Sequence, residues 1–256
     1  MARTAVPRRL TWLVATIRET RDETSTARTL AIDVPGWDGH EPGQHVAVRL
    51  TADDGYSAQR DYSIGSAPEA GRLEITVQRM VDGEVSPYLN GIAEPGDQFE
   101  VRGPIGGWYT WHADDPRPLL LLAGGSGIVP LMSMIRTHAQ VNSQVPVRLI
   151  YSARTPADVI YAAEIAQRQR ASPLAATYLY TRRGWAARGI APAADSPSYP
   201  TRLNARILAE TAFPAEQNPA VYVCGPSGFV EAAADLLVAA GHPAGGIKTE
   251  RFGPTS

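Results

Sequence analysis

The segment Leu119–Pro130, LLLLAGGSGIVP, constrains this chain more than any other stretch. Four leucines and an alanine form a continuous apolar run, the pattern of a strand buried on both faces of a parallel sheet. The run ends in Gly124-Gly125-Ser126-Gly127, and an apolar, helix-compatible segment, Leu131–Ile135, follows. Glycines at such a turn let backbone N–H groups approach an anion at a helix N-terminus, where the helix dipole also favours negative charge. Pro130 suits a first helical turn, because its missing N–H would find no helical partner there. The anion that fits this arrangement is the pyrophosphate of a dinucleotide. The spacing is Gly125-x-Gly127-x-x-Pro130, not the usual G-x-G-x-x-G. The same residues therefore also fit a tight strand–helix turn that binds nothing.

Two further strand ends point the same way. Val147–Ser152, VRLIYS, is apolar and runs into Ser152-Ala153-Arg154. Thr155, Pro156 and Asp158 then read as a helix start, with Thr155 as N-cap, Pro156 in the first position and Asp158 placed as in a capping box. In dinucleotide folds the end of the second strand faces the adenosine ribose. An acid there favours NAD, and an arginine accommodates the 2′-phosphate of NADP. Ser152 and Arg154, with Asp158 engaged at the helix start, favour NADPH; a solvated arginine is the alternative. Arg182 and Arg183 either join Arg154 around that phosphate or form a solvated turn. Val221–Cys224 ends a third strand and leads into Gly225-Pro226, with Ser227 as N-cap of the alanine-rich helix Gly228–Ala240. Cys224 is the only cysteine. It stands at the carboxyl end of a strand, where ligands bind in open α/β sheets. A lone cysteine is otherwise a small buried hydrophobe.

The chain changes pattern near its middle. Up to about Trp111, the short strands Thr11–Ile17, Thr29–Val34, His45–Leu50, Leu73–Arg79 and Gln98–Val101 are separated by Gly, Pro, Asp and Asn. That spacing suggests an antiparallel barrel or sandwich. From Pro118 on, apolar strands alternate with helical segments, which suggests βαβ units and a parallel sheet. Asp114–Pro118, DDPRP, reads as a linker, giving domains over 1–113 and 118–256. A length of 256 residues suffices for two such cores. Gly189–Pro200 reads as a surface loop rich in Pro, Ala and Ser.

Composition narrows the function classes. A net charge of −2 gives no nucleic-acid footprint. One cysteine excludes an intramolecular disulfide and a four-thiolate iron–sulfur site, and no metal site is expected. No apolar run reaches the roughly 18 residues of a membrane span. Arg18 and Glu19 interrupt the first apolar stretch too early for a signal peptide. The expectation is a cytoplasmic protein.

In the first half, Arg60-Asp61-Tyr62-Ser63 follows a polar turn and offers a guanidinium for phosphate, an aromatic face and a hydroxyl. Gly83 and Ser86 could open a short helix whose free N–H groups face a second phosphate. Gly103-Pro104-Ile105-Gly106 reads as a tight turn. Taken in order, Arg60-x-Tyr62-Ser63, Gly83-x-x-Ser86, Gly103-Pro104-x-Gly106, Gly124-Gly125-x-Gly127-Ile128-x-Pro130, Cys224-Gly225-Pro226 and the tail Glu250-Arg251-Phe252-Gly253 resemble the ferredoxin–NADP reductase superfamily of flavoprotein reductases. The resemblance runs from about residue 12 to residue 254.

That resemblance implies an N-terminal antiparallel Greek-key flavin-binding β-barrel followed by a C-terminal parallel-sheet nucleotide-binding α/β domain, with the flavin in the cleft between them. It implies that Arg60 binds the flavin pyrophosphate, Tyr62 stacks on the isoalloxazine and Ser63 hydrogen-bonds near N5. Ser86 and the backbone at Gly83 and Val85 would bind the pyrophosphate, with Gln78 and Arg79 nearby. Gly125, Gly127 and Pro130 would hold the nicotinamide dinucleotide, and Cys224, with Gly225 and Pro226, would lie against the nicotinamide. Phe252 would face the flavin from the other side, and Glu250 would serve proton or electron transfer near N5. The implied cofactor is FAD in preference to FMN, with NADPH or NADH as co-substrate. No [2Fe–2S] module of the kind many relatives carry is expected. The implied partner is a separate electron-acceptor protein, such as a ferredoxin or an oxygenase component, served by a monomer. The alternatives are a flavin or ferric-chelate reductase acting on a small molecule, and a non-autonomous electron-transfer subunit of a larger complex.

Overall fold

Two six-stranded sheets frame the structure, a computed structural model that describes residues 10–80, 83–182 and 196–252. The first sheet is antiparallel and contains β1 (Leu13–Thr24), β2 (Ala27–Asp33), β3 (His45–Thr51), β4 (Ser57–Ser63), β5 (Arg72–Gln78) and β6 (Gln98–Ile105), in the order β4-β3-β6-β1-β2-β5. A bridge between Ile64 and Ile75 brings the end of β4 against β5, so the two edges meet and the sheet closes as a Greek-key barrel. Alternate residues such as Ala15, Ile17, Leu30, Ile32, Val46 and Val48 fill its interior. Helix α1 (Val85–Gly91) adds Val85 and Leu89 to the same core.

The second sheet is parallel throughout, in the order β10-β9-β8-β7-β11-β12. Its strands are β7 (Leu119–Gly124), β8 (Val147–Ala153), β9 (Leu174–Tyr180), β10 (Ser198–Tyr199), β11 (Ala220–Pro226) and β12 (Ile247–Phe252). Every residue of β7 is buried. Leu119, Leu121 and Ala123 face a layer that includes α2 (Ile128–Gln140) and α3 (Ala162–Ala171). Leu120 and Leu122 face the opposite layer, which includes α4 (Ala205–Thr211) and α5 (Ser227–Ala239). Strand order reverses between β7 and β11, the switch point where open α/β sheets bind ligands.

Several local expectations are corrected. The first strand is longer than Thr11–Ile17: β1 continues to Thr24 as a hairpin with β2, and its polar half is held by cross-strand contacts such as Arg28 Nε to Asp22 Oδ1 at 2.7 Å. Arg60–Ser63, expected beyond a polar turn, is the end of β4, which begins just after the turn at Ala52–Gly55. Gly103–Ile105 continues β6, and the chain turns at Gly106, whose φ is +93°. The helix expected at Pro156 is a single 3₁₀ turn, Pro156–Asp158. There the Thr155 hydroxyl donates to the Asp158 carboxylate at 2.6 Å and caps no backbone N–H. Val159, Ile160 and Tyr161 then drop into the core, so α3 begins only at Ala162. Ser227 is the first residue of α5 and not its cap, because β11 runs through Pro226, paired to Phe252. Ser198 and Tyr199 form β10 inside the expected Gly189–Pro200 loop. Arg183 and most of that loop lie outside the described residues.

Candidate functional site

The end of β4 and the carboxyl ends of β11 and β12 come together between the two sheets. In the β3–β4 register Ser63 pairs with His45. In the β11–β12 register Cys224 pairs with Glu250. Glu250 spans the gap: its Oε1 lies 3.9 Å from His45 Nδ1, and its Oε2 accepts from the Cys224 thiol at 3.9 Å. The structure thus assembles Ser63, Cys224 and Glu250, predicted from sequence, around His45, which the sequence reading missed. Tyr109, also missed, is buried beside them; its ring meets Tyr222 edge-on at 5.4 Å. Neither residue carries a local signal. Their placement comes from strand register and from the loop that follows β6.

Burial sets the electrostatics of this cluster. It pushes the Glu250 carboxyl up to about 7, and the thiol hydrogen bond opposes that rise without reversing it. Burial, and then the negative charge of Glu250, hold the Cys224 thiol well above its ordinary value. The group is therefore a neutral thiol at physiological pH and not a nucleophilic thiolate. Burial lowers His45, with Asp61 pulling the other way. The Ser63 hydroxyl is buried with no hydrogen-bond partner, and the Tyr109 hydroxyl lies against the Cys224 thiol. An unpaired buried hydroxyl is costly, which makes Ser63 a candidate for contact with a bound group.

Around Ser63 the barrel supplies a rim. Tyr62 is half-buried against the barrel core, and burial raises its phenol. Arg60 is exposed; its Nη2 lies 3.4 Å from Glu84 Oε2, which brings it beside the start of α1. Exposed pairs of this kind are worth little, so a phosphate could replace Glu84. The Ser86 hydroxyl accepts from the Met80 amide at 3.1 Å, and the Gly83 amide donates to Met80 O at 3.2 Å. These contacts set Gly83, Val85 and Ser86 next to the segment that leaves β5 through Gln78 and Arg79.

On the α/β side, Gly125–Gly127 forms a 3₁₀ turn leading into α2, with Pro130 in the helix's first turn. Gly125 has φ +55°, and its carbonyl accepts from the Tyr151 hydroxyl at 3.0 Å. A Cβ on Gly127 would lie 2.2 Å from Cys224 O, so only glycine lets this turn press on β11. Ser152 pairs with Gly124 across β7 and β8. Arg154 follows β8, and its carbonyl accepts from the Arg182 amide at 2.9 Å. The two exposed arginines are therefore adjacent, and neither forms an ion pair among the described residues. Gly225 and Pro226 pair with Arg251 and Phe252, and Phe252 packs partly buried on the core of the parallel sheet. Among the described residues no three His, Cys, Asp or Glu side chains are placed to hold a metal, and no helix is long and apolar enough to cross a membrane.

Residues 15–109 match a family model described as the oxidoreductase FAD-binding domain, and residues 121–235 match the oxidoreductase NAD-binding domain. The chain is 31% identical over 218 residues to the glycine betaine monooxygenase reductase subunit of Chromohalobacter salexigens, covering 84% of this chain and 56% of that protein. It is 32% identical over 249 residues to the ferredoxin reductase component of 3-ketosteroid-9-alpha-monooxygenase from Mycolicibacterium smegmatis, covering 92% and 64%. It thus spans somewhat more than half the length of these relatives. The flavohaem-like FAD/NAD-binding domain of nitric oxide dioxygenase from Vibrio cholerae superposes with a TM-score of 0.81 at 25% identity, covering 94% of this chain and 99% of that one. A ferredoxin NADP+ reductase from Neisseria gonorrhoeae, with a TM-score of 0.77 at 22% identity over 94% of this chain and 98% of that one, shares the fold.

Proposed function

The chain belongs to the ferredoxin–NADP reductase superfamily of flavoprotein oxidoreductases, and from that premise we propose that it passes a hydride from NAD(P)H to FAD and then single electrons to a separate redox protein. The observation that carries the reading is the meeting across the two sheets of His45, the strand partner of Ser63, with Glu250, which in turn accepts from Cys224, with the buried Ser63 hydroxyl left unpaired. Bound FAD would supply the hydride-accepting and one-electron chemistry; the protein supplies position and electrostatics.

Each residue has a part in that scheme. Tyr62 would cover bound flavin, and the Ser63 hydroxyl would donate a hydrogen bond to it. Arg60, Ser86 and the backbone at Gly83 and Val85, with Gln78 and Arg79 beside them, hold the pyrophosphate. Gly125, Gly127 and Pro130 receive the nicotinamide dinucleotide. Ser152, Arg154 and Arg182 face its adenosine end and favour a 2′-phosphate; Arg183 belongs to the same proposal. Cys224, Gly225 and Pro226 wall the nicotinamide, and Phe252 shields the flavin. Glu250, poised near neutrality, holds a proton beside the reacting atoms. Residues 1–113 and 118–256 are the two functional domains. The relatives that are reductase components of oxygenases support a ferredoxin or an oxygenase as electron acceptor. The same proposal places the protein in the cytoplasm.

The visible spectrum of the purified protein, followed by anaerobic titration with NADH and NADPH, tests this. A yellow protein with one flavin per chain, released as FAD and bleached by NAD(P)H, is expected. A colourless protein that also fails to take up added FAD would sink the reading.

A further inference from the structure

A second polar seam joins the two sheets at a place none of the proposed cofactor residues occupies. The barrel contributes Glu74 and Thr76 of β5 and the carbonyls of Gly65 and Ser66, just past β4. The α/β side contributes Ser133 and Arg136 of α2, Tyr161, and Glu164 of α3. Arg136 is its hub. Its Nη1 donates to Gly65 O at 2.9 Å and to Glu74 Oε2 at 2.8 Å, both on the barrel. Its Nε and Nη2 donate to the two oxygens of Glu164 at 3.0 and 2.6 Å. The side chain is only 10% exposed. The Ser133 hydroxyl, one turn earlier, donates to Ser66 O at 2.6 Å, and the Tyr161 hydroxyl bonds that of Thr76. The approach is tight: a Cβ on Gly65 would lie 2.8 Å from the Tyr161 hydroxyl and 3.3 Å from Val129 Cγ1.

The seam's place in the chain gives it a function. Gly65 stands two residues beyond Ser63. Helix α2 starts directly after the Gly125–Gly127 turn. Arg136 therefore ties the segment that carries Ser63 to the helix that begins at the nucleotide-binding glycines. Hydride transfer requires donor and acceptor at near-contact distance, and a misplacement of about 1 Å costs on the order of a hundredfold in rate. A planar guanidinium with donors in a rigid fork can hold Gly65, Glu74 and Glu164 at once; a lysine ammonium on a flexible stem cannot.

We propose that Arg136 is a positioning residue for hydride transfer, fixing the orientation of the nucleotide-binding domain against the flavin-binding barrel. The proposal rests on the functional reading above. Its test is stopped-flow reduction of the Arg136→Lys holoenzyme under anaerobic conditions. The limiting rate of flavin reduction by saturating NAD(P)H should fall by about ten- to a hundredfold. The nucleotide dissociation constant, the flavin content and the rate of reduction by dithionite should stay at wild-type values. Dithionite needs no alignment of domains, so a merely structural lesion would not produce this split. Tyr161→Phe removes one cross-seam bond at nearly constant volume, and a smaller loss in the same limiting rate is expected; if Arg136→Lys yields no holoenzyme, this variant decides. A wild-type limiting rate in the deciding variant, or a loss that appears wholly in nucleotide affinity, overturns the proposal. A wild-type protein that neither holds FAD nor is reduced by NADH or NADPH overturns the functional reading and the proposal with it.

Discussion

Glu250→Gln isolates the electrostatic feature on which the site most depends. Burial moves the Glu250 carboxyl from 4.5 to about 7 in the folded protein, whereas in the unfolded chain it titrates near its ordinary value. Between those two values the folded state keeps a proton that the unfolded chain has released. The slope of unfolding free energy with pH follows protons bound by the unfolded state minus those bound by the folded state. It is negative here, so Glu250 lowers stability as pH rises through this window and adds no further loss above it. The step from 4.5 to about 7, at about 1.36 kcal/mol per pH unit, is worth about 3 kcal/mol. Other groups titrate in the same range, so the measured quantity is the difference between the wild type and Glu250→Gln, whose amide is neutral throughout. Urea unfolding of both proteins from pH 4 to 8, at one FAD concentration, should show the wild type losing about 3 kcal/mol relative to the variant. A difference that stays constant with pH refutes the burial argument. A difference of opposite sign would mean that the carboxylate is held charged by His45, 3.9 Å away; burial lowers His45 and works against that pairing.

Two mutational predictions follow from the proposed roles. Arg154→Ala should raise the KM for NADPH by about tenfold or more, the cost of a charged hydrogen bond worth about 1.5–3 kcal/mol. The KM for NADH should barely move; equal losses in steady-state kinetics would show that Arg154 does not read the phosphate. Ser63→Ala and Cys224→Ala should slow flavin reduction in stopped flow by about ten- to a thousandfold with near-normal flavin content, whereas Ser86→Ala should loosen the flavin and leave reduction normal in molecules that retain it. Wild-type reduction in Cys224→Ala would make that residue a packing group.

The central elements are legible in the sequence because they are buried on both faces. β7 and β11 read as unbroken apolar runs ending in glycine, and the parallel sheet follows from them. The edge strands are not legible in this way. β4, SAQRDYS, sits at one end of its sheet order with mostly exposed residues, so its pattern resembles a polar turn. β12, IKTERF, is the edge partner of β11, with one fully buried position. Their strand character comes from hydrogen bonds to neighbours, which no local pattern records. The start of α3 was obscured for another reason. Thr155, Pro156 and Asp158 satisfy the rules for a helix start, yet burial of Val159, Ile160 and Tyr161 outweighs local propensity and delays the helix.

The site divides along the same line. Ser63, Cys224 and Glu250 were visible as parts of ordered motifs, but what joins them was not. His45 reaches Glu250 only because β3 pairs with β4 on one side and β11 with β12 on the other. The lone cysteine shows what that register adds. The sequence left it as either a ligand-facing group or a small buried hydrophobe, and the structure shows the burial. Cys224 is fully buried, and its carbonyl is the surface against which Gly127 packs. Its thiol, kept protonated by burial and by Glu250, has a proton to donate to that carboxylate. A thiolate in its place would set two negative charges side by side in a buried pocket. Any part Cys224 plays is therefore that of a shaped wall and a hydrogen-bond donor, and an effect on rate would pass through the Gly125–Gly127 turn packed on it or the carboxyl it touches.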